Sequence, residues 1–390
     1  MNNGRPFRVG ISGSYGGLNQ GDEAILQSII TQLRANARVS ITVFSRDAKD
    51  TMRRHDVQRA VTARDLTREE ASHEIESLDL FILGGGGILY DAEARIYLRE
   101  LEIAQRLGVP NMTYAVGVGP LNDSGTQKLV SDLLYATDIV TVREKSDRRT
   151  LEDIGLHRDI VVTADPAVLS RPEPLPDGTL EREHMAGKEH LVGMSVREPG
   201  VAAPDIDEKF YHGLLADAAD FIIERYDADV VFFPMERRML DVQQSHAVIS
   251  KMLQPQRAHV LKGDFTSGQL LSLVGKCDFA VGMRLHFLLF AALQHVPFVA
   301  LPYSAKVSGL LDGLQVEMPP INLVNAGRLL AYIDRSWDRK ATLQERVTKH
   351  LPRLKTEARK TNKLALSLLN NPPSRETVPI LPQDGAPGAP

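Results

Sequence analysis

Residues 277–302, CDFAVGMRLHFLLFAALQHVPFVALP, predict the fold of the chain. The apolar run at 277–282 predicts a strand, 284–294 has the length and composition of a buried helix, and 296–302 is a second apolar run. Near-continuous apolar strands joined by a helix are typical of a parallel sheet covered on both faces. This stretch therefore predicts a strand–helix–strand unit of a doubly wound α/β protein.

The same alternation extends through most of the chain. Further apolar runs predict strands at 7–12, 41–45, 78–83, 111–117, 138–142, 159–164, 190–196, 227–234 and 258–263. Segments of helical period between them predict helices at 22–35, 93–107, 125–136, 146–154, 207–226, 237–253 and 266–275. Regular alternation of this kind predicts Rossmann-like sheets throughout.

The alternation is interrupted once, by a segment rich in proline and charge. Residues 170–189 show neither period and predict a linker. They divide the chain into an N-terminal Rossmann-like domain at 1–169 and a C-terminal one at 190–334. Ligands of such sheets bind at the carboxyl ends of the strands, so we expect the site in a cleft between the two domains.

The C-terminal part has a different composition. Residues 335–370 predict a basic helical segment interrupted at Pro352, and 371–390 predict a disordered tail. The strongly basic stretch 335–363 permits two interpretations. It could lie on an anionic membrane surface, or it could be a terminal helix packed back on the protein with a solvated outer face.

Bulk composition excludes several classes of protein. The chain has 390 residues, a net charge of −4, and one cysteine, Cys277. The charge does not suit a nucleic-acid binder driven by electrostatics, and a single cysteine permits no internal disulfide. There is no signal-peptide pattern and no apolar run long enough to span a membrane. We therefore expect a cytoplasmic protein, located at the inner face of the membrane if its substrate is membrane-bound.

The eleven histidines show none of the spacings of metal ligands, and we expect no metal. There is also no G-x-S-x-G elbow, and Cys277 lies at the start of a buried strand. Nucleophilic serine or cysteine chemistry is therefore not expected.

A glycine-containing loop, GSYGGLNQGDEAIL at 13–26, follows the first strand. The spacing from Gly16 to Gly21 imitates a P-loop, but acidic residues stand where Lys and Ser/Thr are required. Asp22 is the expected N-cap of the following helix. The loop is either a tight strand-to-helix turn or a contact with a polar substrate through Asn19 and the backbone.

Two further glycine runs occur at predicted strand ends. FILGGGGILYD at 81–91 contains Gly85, Gly86 and Gly87, and AVGVGP follows at 115–120. Consecutive glycines are entropically costly and suit places where a ligand or a facing backbone comes very close. We expect these loops to line the acceptor side of the cleft.

Cations follow three strands of the predicted C-terminal domain: Arg197, Arg284 and Lys306. Cations gathered at the carboxyl edge of a sheet, beside helix N-termini, suit phosphate and carboxylate groups. His286 lies among them. For any one of these residues a structural ion pair or a capping role is the alternative.

Several segments of the sequence together resemble a known family. The segments LGGGGILYD, YAVGVGPL, TVREKSDRRTLEDIG, TADPAVL, VGMSVRE and VGMRLHFLLFAALQHVPFVALPYSAK occur in the order found in polysaccharide pyruvyl transferases. The resemblance implies a GT-B-like fold and transfer of pyruvate from phosphoenolpyruvate onto a sugar of a cell-surface glycan as a ketal. It implies no cofactor, and it implies that Arg284 and His286 of the RLH triplet are central to catalysis. We extend it by predicting donor-binding roles for Arg143, Arg197 and Lys306.

The residue types suit this chemistry. Arginines bind carboxylate and phosphate well, His286 is the candidate general acid, and the saccharide acceptor could be free or lipid-linked. A GT-B glycosyltransferase that uses a nucleotide sugar is one alternative. A non-catalytic sugar- or nucleotide-binding protein is another, and it leaves His286 without a role.

Overall fold

The computed structural model describes residues 4–198, 207–236, 241–301, 305–317 and 325–373, with only the backbone given for residues 305 and 306. Within these residues the chain forms three parallel sheets packed against helices. Two sheets belong to the N-terminal domain, and the third forms the C-terminal domain. The arrangement is that of two Rossmann-like domains, as predicted.

The strands are short and mostly buried. In the N-terminal domain they are β1 (Phe7–Ser12), β2 (Val39–Ser45), β3 (Arg59–Thr62), β4 (Leu80–Leu83), β5 (Gly86–Leu89), β6 (Asn111–Thr113), β7 (Val116–Val118), β8 (Val140–Val142) and β9 (Ile160–Val162). In the C-terminal domain they are β10 (Leu191–Ser195), β11 (Asp229–Phe232), β12 (Ala258–Val260), β13 (Phe279–Gly282) and β14 (Phe298–Ala300).

Helices connect most of these strands. Before the C-terminal domain they are α1 (Gln20–Asn36), α2 (Ala48–Arg54), α3 (Arg68–Ile75), α4 (Ala94–Arg106), α5 (Ser124–Tyr135), α6 (Lys145–Asp153) and α7 (Thr179–Arg182). Those that follow are α8 (Glu208–Tyr226), α9 (Asp241–Ile249), α10 (Ser267–Val274), α11 (Leu285–Leu293), α12 (Ala305–Leu314), α13 (Ala326–Asp338) and α14 (Lys340–Asn370).

The strand orders place the ligand-binding edges. The first sheet has the order β3-β2-β1-β4-β6, the second β5-β7-β8-β9, and the third β12-β11-β10-β13-β14. In the first and third sheets the strand order reverses beside β1 and β10. The chain adds two strands on one side of that strand and then crosses to add two on its other side. Ligands of open parallel sheets bind at such reversal points, beyond the carboxyl ends of the strands.

Several strands differ from the prediction. The strand predicted at 111–117 is two strands, β6 and β7, which lie in different sheets because Ala115 between them has a positive φ of 53°. Strand β5 begins inside the glycine run and was not predicted, since glycine is poor in strand propensity. Strand β3 was also missed because its sequence, RAVT, contains only two apolar residues.

The predicted linker is fixed to the C-terminal domain. Residues 170–189 contain the one-turn helix α7, and the Glu183 carboxylate accepts hydrogen bonds from the backbone N–H groups of Lys262 (2.8 Å) and Gly263 (2.9 Å). The Glu173 backbone N–H also donates to the carbonyl of Gly268. This segment is therefore held against the loop after β12 and the first turn of α10.

The C-terminal helix corrects one prediction. Helix α14 continues through Pro352 without the predicted interruption. Proline removes one hydrogen bond from a helix interior, but Val347 and Leu351 before it and Ala358 after it are all buried and hold both halves on the protein. The tail beyond residue 373 lies outside the described residues.

Helix α14 packs back onto the N-terminal domain. The Asn362 side-chain N–H donates to the carbonyl of Gln32 in α1 at 3.2 Å. This contact agrees with the interpretation of 335–363 as a packed terminal helix. In the part of the chain that the structure describes, no helix has the length and apolar character needed to span a membrane.

The two domains dock directly at the amino end of α1. The Gln20 backbone N–H donates to the carbonyl of Met235 at 2.8 Å, and its side chain donates to the carbonyl of Phe265 at 3.1 Å. A single cluster of buried apolar side chains extends from β1 through α1 to β10 and α11. The cleft between the domains therefore has a defined floor.

Candidate active site

His286 lies in the cleft, in the first turn of α11. Strand β13 ends at Gly282, and Arg284 is the N-cap residue, so His286 is the second residue of the helix. Residues 287–292 of α11 are apolar and buried, which fixes the helix in the domain core. The imidazole faces the N-terminal domain, and its Nε2 lies 3.5 Å from Oδ2 of Asp165.

Gly21 in α1 makes room for this imidazole. A Cβ atom at residue 21 would lie 1.9 Å from Nδ1 of His286, a distance at which atoms overlap. Gly21, which gives the loop its P-loop-like spacing, therefore leaves the space that the His286 ring occupies. The ring packs against the amino-terminal turn of α1, where the helix dipole is positive.

The N-cap of α1 is Asn19 and not Asp22, which corrects the sequence prediction. The Asn19 side chain accepts a hydrogen bond from the Gly21 backbone N–H at 3.0 Å, and the helix begins at Gln20. Asn19 also forms an isolated antiparallel bridge with Glu236 of the C-terminal domain. Its side chain thus caps a helix at the domain boundary.

Asp22 is freed from capping and is buried in the cleft. Burial, with contributions from Glu23 and Glu236, raises the pKa of Asp22 to about 6, and the His286 imidazole and the Ser14 hydroxyl lower it only in part. A carboxyl group with such a pKa exchanges protons readily near neutral pH. Asp22 is therefore a candidate acid–base group beside His286.

The glycine run at 84–87 leaves space for side chains of the loop at 13–26. A Cβ at Gly84 would lie 2.0 Å from the Tyr15 hydroxyl oxygen, and one at Gly86 would lie 3.0 Å from Oδ1 of Asp22. Gly86 has a φ of +101°, which favours glycine, and Gly87 pairs with a strand β7 residue. The run thus lets Tyr15 and Asp22 approach the sheet.

Asp165 is a candidate site residue that the sequence analysis did not single out. Its Oδ2 accepts a hydrogen bond from Nη1 of Arg143 at 3.0 Å, and its Oδ1 accepts one from the Ala167 N–H. Burial alone would raise the pKa of Asp165, but the neighbouring His286 and Arg143 outweigh it and hold that pKa well below its usual range. Asp165 is therefore ionised and places a negative charge beside the His286 imidazole.

Arg143 is buried at the end of β8. Its guanidinium lies over Gly117 of β7, where a Cβ would be 2.9 Å from Nη2. Besides Asp165, Arg143 has Glu144 within 3.7 Å. Burial is the main cause that raises the pKa of Glu144 to about 7, with Asp147 adding to it and Arg143 opposing it.

Glu144 connects this group with α12. A Cβ at Gly309 would lie 2.3 Å from Oε2 of Glu144, so the first turns of α12 pack against the Arg143 region. Lys306 lies three residues before Gly309, and its side chain is outside the described residues. Its predicted donor-binding role therefore stays a prediction.

Arg284 is placed differently from His286, because its side chain turns into the C-terminal domain. It forms a two-pronged ion pair with the buried Asp241 through Nε (3.0 Å) and Nη2, and its Nη1 lies 3.1 Å from Glu236. The Asp241 carboxylate also accepts the backbone N–H groups of Met235 and Glu236. This network holds the loop on which Gln20 docks.

Arg197 follows β10, next to β13 in the third sheet. Ser195 is paired with Gly282, and the Ser195 hydroxyl accepts the Arg284 backbone N–H at 3.3 Å. The structure thus places Arg197 and Arg284 at the same sheet edge. It brings Arg143 and Asp22 of the N-terminal domain close to His286 of the C-terminal domain, across the cleft.

In the part of the chain that the structure describes, no group of three or more His, Cys, Asp or Glu side chains could hold a metal ion. The arrangement instead combines an imidazole, two carboxylates of opposite pKa shift and a buried guanidinium. Such a set can move protons and bind an anion.

Comparison with solved structures identifies the fold as GT-B. The chain is similar to a Listeria monocytogenes structure described as a UDP-N-acetylglucosamine 2-epimerase, with a TM-score of 0.65, 11% identity and coverage of 97% of this chain and 100% of that one. It is also similar to a glycosyltransferase from Rickettsia africae (TM-score 0.64, 12% identity, 94% and 100% coverage). It is similar as well to the Anabaena protein HepE, solved with UDP and glucose. That comparison has a TM-score of 0.61 and 12% identity, and it covers 93% of this chain and 99% of that one.

The family is shown by sequence. No curated protein matches the chain. The family model for polysaccharide pyruvyl transferase matches residues 19–305, which run from the cap of α1 through His286. The match covers well over half of the 390 residues. The chain belongs to the polysaccharide pyruvyl transferase family.

Proposed function

We propose that the chain transfers pyruvate from phosphoenolpyruvate onto two hydroxyl groups of a saccharide acceptor, forming a ketal and releasing inorganic phosphate. The observation that carries this proposal is the position of His286, seated on Gly21 between the ionised Asp165 and the buried Asp22. Such a position pairs an acid with a nearby base.

The donor needs an anion site and a proton source. Phosphoenolpyruvate carries a carboxylate and a phosphate, which suit Arg143, Arg197, Lys306 and the amino end of α11. His286 donates its proton to the methylene carbon, which becomes a methyl group. The adjacent carbon then has oxocarbenium character and accepts a hydroxyl oxygen of the acceptor.

The acceptor side needs a base. Asp22 takes the proton of the attacking hydroxyl, since its raised pKa lets it hold that proton. The carbon–oxygen bond to phosphate then breaks, with the nearby cations stabilising the leaving group. A second hydroxyl attacks the same carbon and closes the ketal, and its proton leaves with the phosphate. The proton that Asp22 took then passes to His286, which restores both groups, so the two hydroxyl protons balance the one in the methyl group and the one on phosphate.

Product analysis tests this function. Purified protein is incubated with phosphoenolpyruvate and a panel of saccharides, and both inorganic phosphate and the acceptor's mass are followed. We expect acceptor-dependent phosphate release and a stable pyruvate ketal on the acceptor. Release of a nucleoside diphosphate from a nucleotide sugar, with phosphoenolpyruvate left unused, would instead support a glycosyltransferase.

A further inference from the structure

A cavity of about 370 Å³ lies in the N-terminal domain beyond the carboxyl ends of β1 and β2. It is separate from the residues around His286, and no role in the donor chemistry requires it. Its walls come from the ends of both strands, the turn after β3 and helix α4. Their lining includes Ser45, Arg46, Arg64, Arg95, Arg99 and Glu100. We name this cavity the arginine pocket.

Two of its four arginines build the wall. Arg46 donates to the Tyr97 hydroxyl at 2.7 Å and to Glu93 at 3.1 Å. Arg99 donates to Glu100 at 2.6 Å and to backbone carbonyls of the turn after β3. These contacts hold both guanidinium groups in place.

The other two arginines face solvent at the mouth. The side chain of Arg64 is 43% exposed and pairs with Glu93 at 2.7 Å, while that of Arg95 is 58% exposed and lies 3.6 Å from Asp123. The lining contains only one carboxylate, Glu100, whose pKa is raised, mainly by burial. Glu93 and Asp123 pair with arginines at its rim, so the four arginines face three carboxylates and leave one positive charge in excess.

Its remaining surface suits the body of a sugar-sized ligand. Phe44, Tyr97 and the exposed Ile96 supply apolar area. The buried Ser45 hydroxyl, also in the lining, has no hydrogen-bond partner among the described residues. A volume of this order holds a small molecule, with a few polar groups fixing its orientation.

The arginine pocket adjoins the candidate active site through one residue. The Ser14 hydroxyl lies near both, because it lowers the pKa of Tyr97 at the pocket wall and that of Asp22 beside His286. Half-buried Tyr90 lies within the electrostatic reach of Arg46, Tyr97 and Asp22, and burial together with Glu93 raises its pKa to about 12. The pocket wall and the proposed base thus share Ser14 as a neighbour.

We propose that the arginine pocket binds an anionic group of the saccharide acceptor and directs the attached sugar toward Asp22 and His286. This inference rests on the proposed function, which is what requires a saccharide acceptor. The anionic group is a phosphate or a carboxylate, because arginine recognises both in the same geometry. A phosphate would come from a diphosphate-linked sugar, and a carboxylate from an acidic sugar.

Calorimetric titration tests the pocket without any turnover. The probes are inorganic pyrophosphate, methyl glucuronide and the neutral methyl glucoside, titrated into wild type, Arg64→Gln, Arg95→Gln and Arg106→Gln. Arg106 is the control, since it lies on helix α4 with Arg95, donates to Glu102 on the same helix, and is not among the residues that line the cavity. We expect saturable binding of one anion, weakened about tenfold or more in the first two variants and unchanged in the control.

The two anions distinguish the sources. Preference for pyrophosphate indicates a diphosphate-linked acceptor, and preference for glucuronide indicates an acidic sugar. The proposal is overturned if neither anion saturates, if the glucoside binds as tightly, or if Arg143→Gln abolishes binding while Arg64→Gln and Arg95→Gln leave it intact.

A second readout separates this inference from the proposed function. With any acceptor that supports phosphate release, Arg64→Gln and Arg95→Gln should raise the acceptor KM about tenfold and leave the KM for phosphoenolpyruvate unchanged. An unchanged acceptor KM overturns the pocket and leaves pyruvyl transfer standing. Anion binding with no phosphate release from any acceptor contradicts pyruvyl transfer alone.

Discussion

The His286 imidazole occupies the space that a side chain at residue 21 would need, with Nδ1 only 1.9 Å from a Cβ placed there. The absence of a side chain at Gly21 in the N-terminal domain thus sets the position of the His286 ring from the C-terminal domain. Because Asp22 follows Gly21 directly, this packing also sets the base next to the acid.

Gly21→Ala should displace His286 and abolish most activity. Alanine in the first turn of a helix normally stabilises it, so the loss would come from the clash with the ring. We expect phosphate release to fall about 100-fold, which is the usual contribution of a positioned acid.

Gly213→Ala is the matched control, since Gly213 lies inside α8 with no atom within 4 Å of the added Cβ. It should keep wild-type activity and gain roughly 0.5–1 kcal/mol in unfolding free energy. Wild-type activity in Gly21→Ala would show that the ring position is not required.

Asp22→Asn should raise stability at neutral pH while removing activity. The folded-state pKa of Asp22 is raised from 3.8 to about 6, so the folded protein loses stability as pH rises from about 4 to 6. A shift of about two units corresponds to about 3 kcal/mol, which the neutral asparagine does not lose. Denaturant unfolding at pH 4 and pH 8 measures this difference.

The exposed Asp159 provides the control for that measurement. Asp159→Asn should change the unfolding free energy equally little at both pH values. A wild-type activity profile that rises with pH through about 6, with no such rise in the residual activity of Asp22→Asn, would support the base assignment. Full activity in Asp22→Asn would exclude it.

Much of the fold could be predicted because it depends on local pattern. The strands flanking α11 and the amphipathic helices between sheets follow from apolar runs and periodicity. The pattern could not predict β5, where Gly86 leaves room for the close approach of Asp22, or the continuity of α14 through Pro352, which depends on packing.

The candidate site was predictable in part. His286, Arg143 and Asp22 converge as strand-end and loop residues should. Asp165 was missed because a lone aspartate before proline predicts only a turn, and its role depends on two partners distant in sequence, Arg143 and His286. The burial of the Arg284 side chain against Asp241 likewise depends on tertiary structure.

Arg284→Gln should destabilise the protein before it alters chemistry. The substitution leaves the fully buried Asp241 carboxylate without its guanidinium, which typically costs about 3–5 kcal/mol. Thermal or denaturant unfolding measures this loss. Asp241→Asn should have a similar effect, and the double variant should be far less destabilised than the sum of the two.

Arg148→Gln is the control, since Arg148 and Glu152 form an exposed pair within α6. It should change the unfolding free energy by no more than about 0.5 kcal/mol. A stable but inactive Arg284→Gln protein would contradict the positioning role and support a direct role in catalysis.

The most direct test of the central claim is phosphate release from phosphoenolpyruvate with an active acceptor, comparing His286→Asn with His295→Asn. His295 lies just after the same helix, is exposed, and has a left-handed φ of 55° that asparagine adopts easily. We predict that His286→Asn lowers the rate at least about 100-fold and that His295→Asn stays near wild type. Equal rates in the two variants would contradict the assignment of His286 as the acid.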